Sequence, residues 1–190
     1  MSRRRILLEY PVPVIEHGMR NRFHKVSSEK NPARPVMFAH AESPVWDAHT
    51  QSLTFVDVSQ QNVHRLEYTT GKIDTKHIGT KGPQTGDDVL PDKGTLYTID
   101  QQSLDNPRIQ LRPVSISNGL AWSPNNTVMY YIDSHTQRVD AFDYDSAKGD
   151  LSARRTIVDI SNYGYEDAIP DGMTIDSKGH LWVALMFGGT

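Results

Sequence analysis

Short apolar runs alternate with polar turn clusters through most of the chain after residue 35. Ser52–Asp57 and Asn62–Tyr68 place apolar residues between polar ones, and Val128–Asp133 and Gln137–Tyr144 repeat the pattern later in the chain. β-Branched and aromatic residues in such alternation, bounded by Gly, Asn, Asp and Ser, are typical of strands. No segment keeps a helical period of about 3.6 residues over several turns. We therefore predict an all-β fold.

These strand pairs belong to an internal repeat. Trp46 and Trp122 each precede a turn, and a strand then follows that ends in an aspartate 11 residues after the tryptophan. These aspartates are Asp57 and Asp133. A third copy starts with residues 173–184, and a fainter copy lies at 90–99. Units of several strands that recur along a chain indicate a β-propeller, whose blades surround a central channel.

The repeat also predicts structural roles for its most regular positions. Because the three tryptophans, at positions 46, 122 and 182, recur at equivalent places, we expect them to lie in the cores of the blades. The aspartates that close the equivalent strands are expected to serve turns or blade-to-blade hydrogen bonds, with a channel role for one of them as the alternative.

One polar position recurs in register with the repeat. Glu42, Asn118 and Asp171 each stand four residues before the aligned apolar position. Equivalent side chains at the axial end of inner strands converge in a propeller, and carboxylates at a common point repel one another unless a cation lies between them. Oxygen ligands suit Ca²⁺, Mg²⁺ or Mn²⁺, and zinc is also feasible. The alternative is that Asn118-Gly119 and Asp171-Gly172 are turn dipeptides; the shared register favours the metal site.

Composition excludes several classes of protein. The chain of 190 residues is 37% hydrophobic with a mean hydropathy of −0.54. Its longest apolar run, 181–187, is far shorter than the roughly 20 residues that cross a bilayer. A net charge of −3 gives no bulk attraction to nucleic acid. The absence of cysteine excludes a disulfide scaffold and a thiol nucleophile. We expect a cytoplasmic protein that binds neither nucleic acid nor membrane.

Residues 1–34 differ from the rest of the chain. They hold eight Lys and Arg against three Glu, and they show no sustained period. Arg3–Arg5 before Ile6–Leu8 are similar to the start of a targeting signal, but Glu9 and Pro11 close the apolar stretch early. We predict a poorly ordered basic extension over 1–34, with a targeting segment as the alternative, and a folded domain over 35–190.

Several long motifs carry a resemblance to a known family. They are Glu42–Trp46 (ESPVW), Ile116–Trp122 (ISNGLAW), Tyr131–Ser134 (YIDS), Val139–Tyr144 (VDAFDY), Ile169–Met173 (IPDGM) and Leu181–Ala184 (LWVA). Together they closely resemble the regucalcin family, also called senescence marker protein 30 or the gluconolactonase and luciferin-regenerating-enzyme-like group. The resemblance covers about residues 36–73 and 94–190.

The resemblance implies a six-bladed propeller with one divalent cation in its channel, Ca²⁺ or Zn²⁺, with Mn²⁺ and Mg²⁺ as further options. It assigns the cation to Glu42, Asn118 and Asp171, the residues that the repeat also selects. Family members hydrolyse sugar lactones such as gluconolactone, and animal members are also described as calcium-binding regulators. The resemblance further implies that Asp171 is both a ligand and the general base. A cation polarises the lactone carbonyl, and a carboxylate beside it takes the proton from water.

Two departures from the family pattern bear on activity. Relatives carry a substrate-binding stretch with an Arg and an Asn-Asp-Gly motif, whereas residues 75–93 here contain neither Arg nor Asn. Glu42 and Asn118 are 76 residues apart and the chain stops soon after residue 187, so we expect about four blades, shortened around 74–93 and truncated at the C-terminus. Three hypotheses follow: a metal-dependent sugar-lactone hydrolase, a calcium-binding regulator without catalysis, and an inactive truncated isoform whose blade edges bind a protein partner.

Overall fold

The computed structural model of the protein describes residues 4–9, 38–39, 41–78, 94–100 and 103–188, with the backbone alone for 4–9. In these ranges, thirteen strands form four antiparallel sheets, and two short 3₁₀ helices cover Ser134–Thr136 and Ile160–Tyr163. The strands are β1 (Arg4–Glu9), β2 (Ala41–Asp47), β3 (Ser52–Asp57), β4 (Asn62–Glu67), β5 (Ile73–His77), β6 (Gly94–Asp100), β7 (Arg108–Val114), β8 (Ser117–Trp122), β9 (Val128–Asp133), β10 (Arg138–Asp145), β11 (Asp150–Asp159), β12 (Ile169–Ile175) and β13 (Leu181–Met186). The all-β prediction is confirmed.

The chain divides into two compact units. The smaller unit is Pro11–Val89, and the larger unit is Met1–Tyr10 together with Leu90–Thr190. The smaller unit holds the sheet β2-β3-β4-β5, and the larger unit holds the sheets β1-β6-β7, β11-β10-β9-β8 and β12-β13. In both four-stranded sheets, strands that follow one another along the chain are also neighbours in the sheet. Short turns between antiparallel strands produce this arrangement.

Apolar side chains of the middle strands form the core of each unit. In the smaller unit, Phe55 and Val56 of β3 and Val63 of β4 are buried. In the larger unit, the fully buried side chains include Tyr131 and Ile132 of β9. The middle strands of these sheets therefore carry the apolar positions that the sequence pattern predicts to be buried.

The two four-stranded sheets repeat the same aromatic contact. Trp46 packs edge-on against Tyr68 with ring centroids 6.0 Å apart, and Trp122 packs against Tyr144 at 6.1 Å. In both cases the tyrosine follows the tryptophan by 22 residues. The repeat seen in the sequence is therefore a repeat of structure.

Asp57 and Asp133 close the equivalent strands β3 and β9, and both are buried. Oδ2 of Asp57 accepts the backbone N–H of Ala39 at 2.7 Å, and Oδ2 of Asp133 accepts that of Ser115 at 2.9 Å. Oδ1 of Asp133 also accepts the N–H of Ile116 at 2.8 Å. Each carboxylate fixes the chain just before the first strand of its own sheet, so these bonds lie within one sheet and not between blades. The expected turn role holds for Asp57, whose Oδ1 accepts the N–H of Gln60 at 3.2 Å.

The expectation that the tryptophans lie in blade cores is wrong for two of them. Trp46 is 46% exposed and Trp182 is 63% exposed, whereas Trp122 is half-buried. Trp46 and Trp182 stand close to hairpin turns, and Nε1 of Trp182 donates to Asp176 at 3.4 Å. A tryptophan at the end of a sheet that binds a polar group there leaves much of its ring in water.

Two predictions fall largely outside the described residues. Of the extension 1–34, the structure describes Arg4–Glu9, which forms β1 and pairs antiparallel with β6. Of the shortened segment 74–93, it describes residues 74–78. Within the described ranges, no helix combines the length and the apolar character that crossing a bilayer requires. The cytoplasmic location stays a prediction.

Candidate metal centre

Asn118 lies at a β-bulge in β8. Ser117 pairs with Asp133 and Leu120 pairs with Tyr131, so three steps along β8 face two steps along β9. Asn118 and the residue after it occupy the extra step. A bulge bends the strand and redirects the side chains that it contains, and bulges are over-represented beside active sites.

The same irregularity occurs next to the other two candidate ligands. In β12 the register shifts between Pro170 and Met173, which brackets Asp171. In β2 it shifts between Glu42 and Val45, and the residue after Glu42 has a left-handed φ of 51°. Asn118 and Asp171 are therefore the first residues of their bulges, whereas Glu42 is paired with Val56 and the bulge of β2 begins one residue later. Backbone geometry thus supports the alignment of Asn118 with Asp171, and that of Glu42 with them rests on the sequence.

The turn alternative is wrong for both glycine dipeptides. Asn118-Gly119 lies inside β8 and Asp171-Gly172 lies inside β12, and neither glycine has a positive φ. Gly119 has another reason to be glycine. A Cβ placed there would lie 2.5 Å from Cβ of Met173 and 2.9 Å from the carbonyl oxygen of Asp171. Only glycine lets β8 and β12 approach each other so closely beside the two candidate ligands.

Ser134 connects the two candidate ligands of the larger unit. Its Oγ lies 3.3 Å from Nδ2 of Asn118 and 2.5 Å from the carbonyl oxygen of Pro170, the residue before Asp171. Its backbone N–H donates to the carbonyl of Ile116 at 2.7 Å. Ser134 is 1% exposed, so water does not compete for these bonds.

This contact fixes the orientation of the Asn118 amide. A hydroxyl has one proton, and the Pro170 carbonyl can only accept, so the proton of Ser134 goes to Pro170. Ser134 can then only accept from Asn118, which requires the amide nitrogen to face it. The amide oxygen of Asn118 is left to point elsewhere. An oriented amide oxygen is a suitable ligand for a hard cation.

The oxygen donors of the larger unit fit a divalent cation. Asp171 is exposed and supplies a carboxylate, and Asn118 supplies an amide oxygen. In the part of the chain that the structure describes, no three His, Cys, Asp or Glu side chains gather into a metal site. The predicted ligand set has only two carboxylates, Glu42 and Asp171, and its third ligand is the amide of Asn118, so it is not a cluster of three such side chains. Glu42 is exposed on β2 in the smaller unit, and its membership of the ligand set stays a prediction.

Tyr131 and Ser117 form a buried hydroxyl pair in the sheet that carries Asn118. Their oxygens are 2.6 Å apart. Burial is the main cause that raises the pKa of Tyr131 far above its usual value. The phenol therefore stays protonated at neutral pH and is not a base, and the assignment of Asp171 as the general base stays a prediction.

Sequence reasoning missed Ser134 as a member of this site. The residue appears in the Tyr131–Ser134 motif, directly after an aspartate that closes a strand. That position indicates the end of a strand, but it does not indicate which groups the Ser134 side chain binds. The contacts of Ser134 depend on the approach of β12 to β8, which involves residues 36 positions apart.

The comparisons with known proteins identify the family. Residues 77–190, more than half of the chain, match the model of the SMP-30/gluconolactonase/LRE-like region. The chain belongs to this family. A regucalcin from Oryctolagus cuniculus is 39% identical over 149 residues, which are 75% of this chain and 46% of that protein. This member of the SMP-30/gluconolactonase family thus spans less than half the length of that regucalcin.

Solved structures support the fold of this family member. A luciferin-regenerating enzyme matches with a TM-score of 0.52 and 23% identity, over 80% of this chain and 70% of that one. A regucalcin from Agrobacterium tumefaciens matches with a TM-score of 0.50 and 14% identity, over 78% of this chain and 68% of that one. At these identities the likeness concerns the fold alone. It agrees with the predicted propeller family.

Proposed function

We propose that this chain hydrolyses a sugar lactone with the help of one divalent cation. The observation that carries the proposal is the oriented amide of Asn118, whose oxygen is turned away from Ser134 beside the strand that bears Asp171. Membership of the SMP-30/gluconolactonase family supports the reaction class. Ca²⁺ or Zn²⁺ is the proposed ion, and the oxygen-only donor set also suits Mn²⁺ or Mg²⁺.

The roles of the residues follow from their chemistry. Asn118 and Asp171 hold the cation, and Glu42 is the third ligand in this proposal. When bound, the cation supplies charge that polarises the lactone carbonyl and lowers the pKa of water. Asp171 accepts the proton of the attacking water. It then returns that proton to the ring oxygen as the acyl C–O bond breaks, which yields the open hydroxy acid.

Substitution of Asp171 tests the base. Asp171→Asn keeps an oxygen ligand but removes the proton acceptor, so we expect kcat to fall by about 10²–10⁴-fold. Hydrolysis of gluconolactone, corrected for the spontaneous reaction, is followed by acid release after EDTA treatment and addition of Ca²⁺, Zn²⁺, Mn²⁺ or Mg²⁺. Asp167→Asn, which changes an exposed carboxylate outside the site, is the matched control. A wild-type rate in Asp171→Asn contradicts the base assignment, and a full rate in EDTA contradicts the metal requirement.

Calcium binding without turnover is the second candidate function. The regucalcin from Agrobacterium tumefaciens is described as a calcium-binding protein. Residues 75–93 of this chain also lack the Arg and Asn that the family resemblance associates with substrate binding. A rise in the thermal midpoint on addition of Ca²⁺, without lactone hydrolysis above the spontaneous rate, selects this candidate over the hydrolase.

A further inference from the structure

The segment Ser134–Gln137, here called the bridging turn, holds the chain that leads into Asp171. It consists of the 3₁₀ helix Ser134–Thr136 and Gln137, which has a left-handed φ of 55°. The side chains at its two ends donate to three backbone carbonyls. These bonds are Ser134 Oγ to Pro170 at 2.5 Å, Gln137 Nε2 to Ala168 at 2.9 Å and Gln137 Nε2 to Glu166 at 2.7 Å. The bridging turn thus fixes alternate carbonyls just before the candidate base.

The bridging turn is fixed in turn to the strand of the other candidate ligand. The Ser134 N–H binds the carbonyl of Ile116, two residues before Asn118, and Ser134 Oγ accepts the Asn118 amide itself. Ser134 is therefore the one residue of the bridging turn whose hydroxyl contacts both sides. The hydroxyl donates its proton to the Pro170 carbonyl in β12 and accepts a hydrogen bond from the Asn118 amide in β8.

From this geometry we infer that Ser134 is a positioning residue for the proposed cation site, a role that rests on the proposed function. The hydroxyl holds the Asn118 amide with its oxygen outward and holds the backbone before Asp171 in the same frame. Without the hydroxyl, the Asn118 amide can rotate and present its NH₂ group to the cation. The buried Pro170 carbonyl also loses its donor from Ser134. Removal of such an outer contact of a metal ligand lowers metal affinity by about 10- to 100-fold.

Cation affinity of the full chain, measured without substrate, tests this role. Isothermal titration with Mn²⁺, repeated with Ca²⁺, is applied to the wild type and to Ser134→Ala. Ser134→Ala is expected to weaken affinity by about 10- to 100-fold. Ser161→Ala, which removes a hydroxyl that binds Asp159 in the same unit, is the matched control and is expected to keep wild-type affinity. Circular dichroism of all variants establishes that they are folded.

A double-mutant cycle separates positioning from general stability. Because Ser134 also binds the Pro170 carbonyl, Ser134→Ala is expected to weaken cation affinity in an Asn118→Ala background, but by less than in the wild type. An equal loss in both backgrounds overturns the positioning role, as does a Ser134→Ala variant that binds like the wild type. In those outcomes the wild type still binds cation, so the proposed function survives. A wild type that binds none of the tested cations overturns the proposed metal site itself, and this inference with it.

Discussion

At the scale of single residues, Gly119 sets the distance between two strands of different sheets. A Cβ at this position would overlap with Cβ and the backbone nitrogen of Met173, at 2.5 and 2.8 Å. The second of these atoms belongs to backbone and cannot rotate away. Gly172, which follows Asp171, meets no atom within 4 Å of a Cβ built in the same way. The two glycines occupy equivalent positions in the repeat, but only Gly119 is needed for the close approach of a neighbouring strand.

This difference predicts a difference in stability. Gly119→Ala forces β8 and β12 apart, and we expect it to lower the free energy of unfolding by about 1–3 kcal/mol, the usual cost of overpacking. Gly172→Ala is the matched control and is expected to change it by less than about 0.5 kcal/mol. Urea denaturation of both variants checks the prediction. Equal effects of the two substitutions show that the close approach is absent in solution.

At the scale of elements, buried aspartates fix the entry to the repeated sheets. The two oxygens of Asp133 accept the N–H groups of Ser115 and Ile116, so the carboxylate binds the chain just before β8 with both atoms. Asp57 binds the equivalent residue Ala39 in the smaller unit. A buried carboxylate that accepts hydrogen bonds from two backbone N–H groups satisfies both donors. This explains why the strand ends in a charged residue.

Asp133→Asn tests this anchor. The amide has one oxygen, so one backbone N–H must face an NH₂ group in the variant. We expect a loss of about 1.5–3 kcal/mol in unfolding free energy, the range for hydrogen bonds to charged groups. Chemical denaturation measures it, with the exposed Asp167→Asn as the reference. If both variants lose the same small amount, the carboxylate does not anchor the strand.

The elements are also where sequence reasoning works best. The β-branched and aromatic residues of Ser52–Asp57 and Val128–Asp133, bounded by turn residues, predict β3 and β9 within their observed bounds. Both strands are largely buried on both faces, so burial does not alternate strictly along them. The same reasoning overestimates the burial of Trp46 and Trp182. Apolar character indicates that a residue gains from burial, but the number of neighbours at the end of a sheet decides whether it is buried.

At the scale of the whole molecule, the pH dependence of stability depends on the protonation of a buried histidine. His64 on β4 is buried and contacts the rings of Phe38 and Phe55, with centroids 4.8 and 5.2 Å away. Its Nδ1 is 2.9 Å from Oγ1 of Thr75, and its Nε2 has no hydrogen-bond partner among the described residues. Burial lowers the pKa of His64, and the charge of Asp57 opposes this shift only in part.

The lowered pKa of His64 predicts a loss of stability in mild acid. The unfolded chain binds the proton more readily, so the contribution is fully present above about pH 6.5 and is lost as the pH falls from there toward the folded pKa. The slope reaches at most about 1.4 kcal/mol per pH unit for one proton. Thermal midpoints between pH 7.5 and 5 check this, and His64→Gln is expected to reduce the slope. His49→Gln, at an exposed position, should leave it unchanged; a wild-type slope in His64→Gln refutes the assignment.

The candidate site was predictable from sequence as far as the repeat reaches. Asn118 and Asp171 are found because they occupy the same position in the sequence repeat. Each also lies in a β-bulge, so the two positions are equivalent in the backbone as well as in the sequence. Ser134 is not found in this way. Its role depends on which carbonyl lies opposite its hydroxyl, and that depends on contacts between residues distant in sequence.

The close approach of β12 to β8 has a consequence for how the site forms. A two-stranded antiparallel pair on its own is at best marginally stable in water, and among the described strands β12 pairs with β13 alone. Its persistence therefore depends on the surface that β8 and the bridging turn offer to it. We therefore expect the folding of this hairpin to be coupled to the approach of Asp171 to the strand that carries Asn118. Local opening of the hairpin would then separate the two candidate ligands while the other sheets of the unit stay folded.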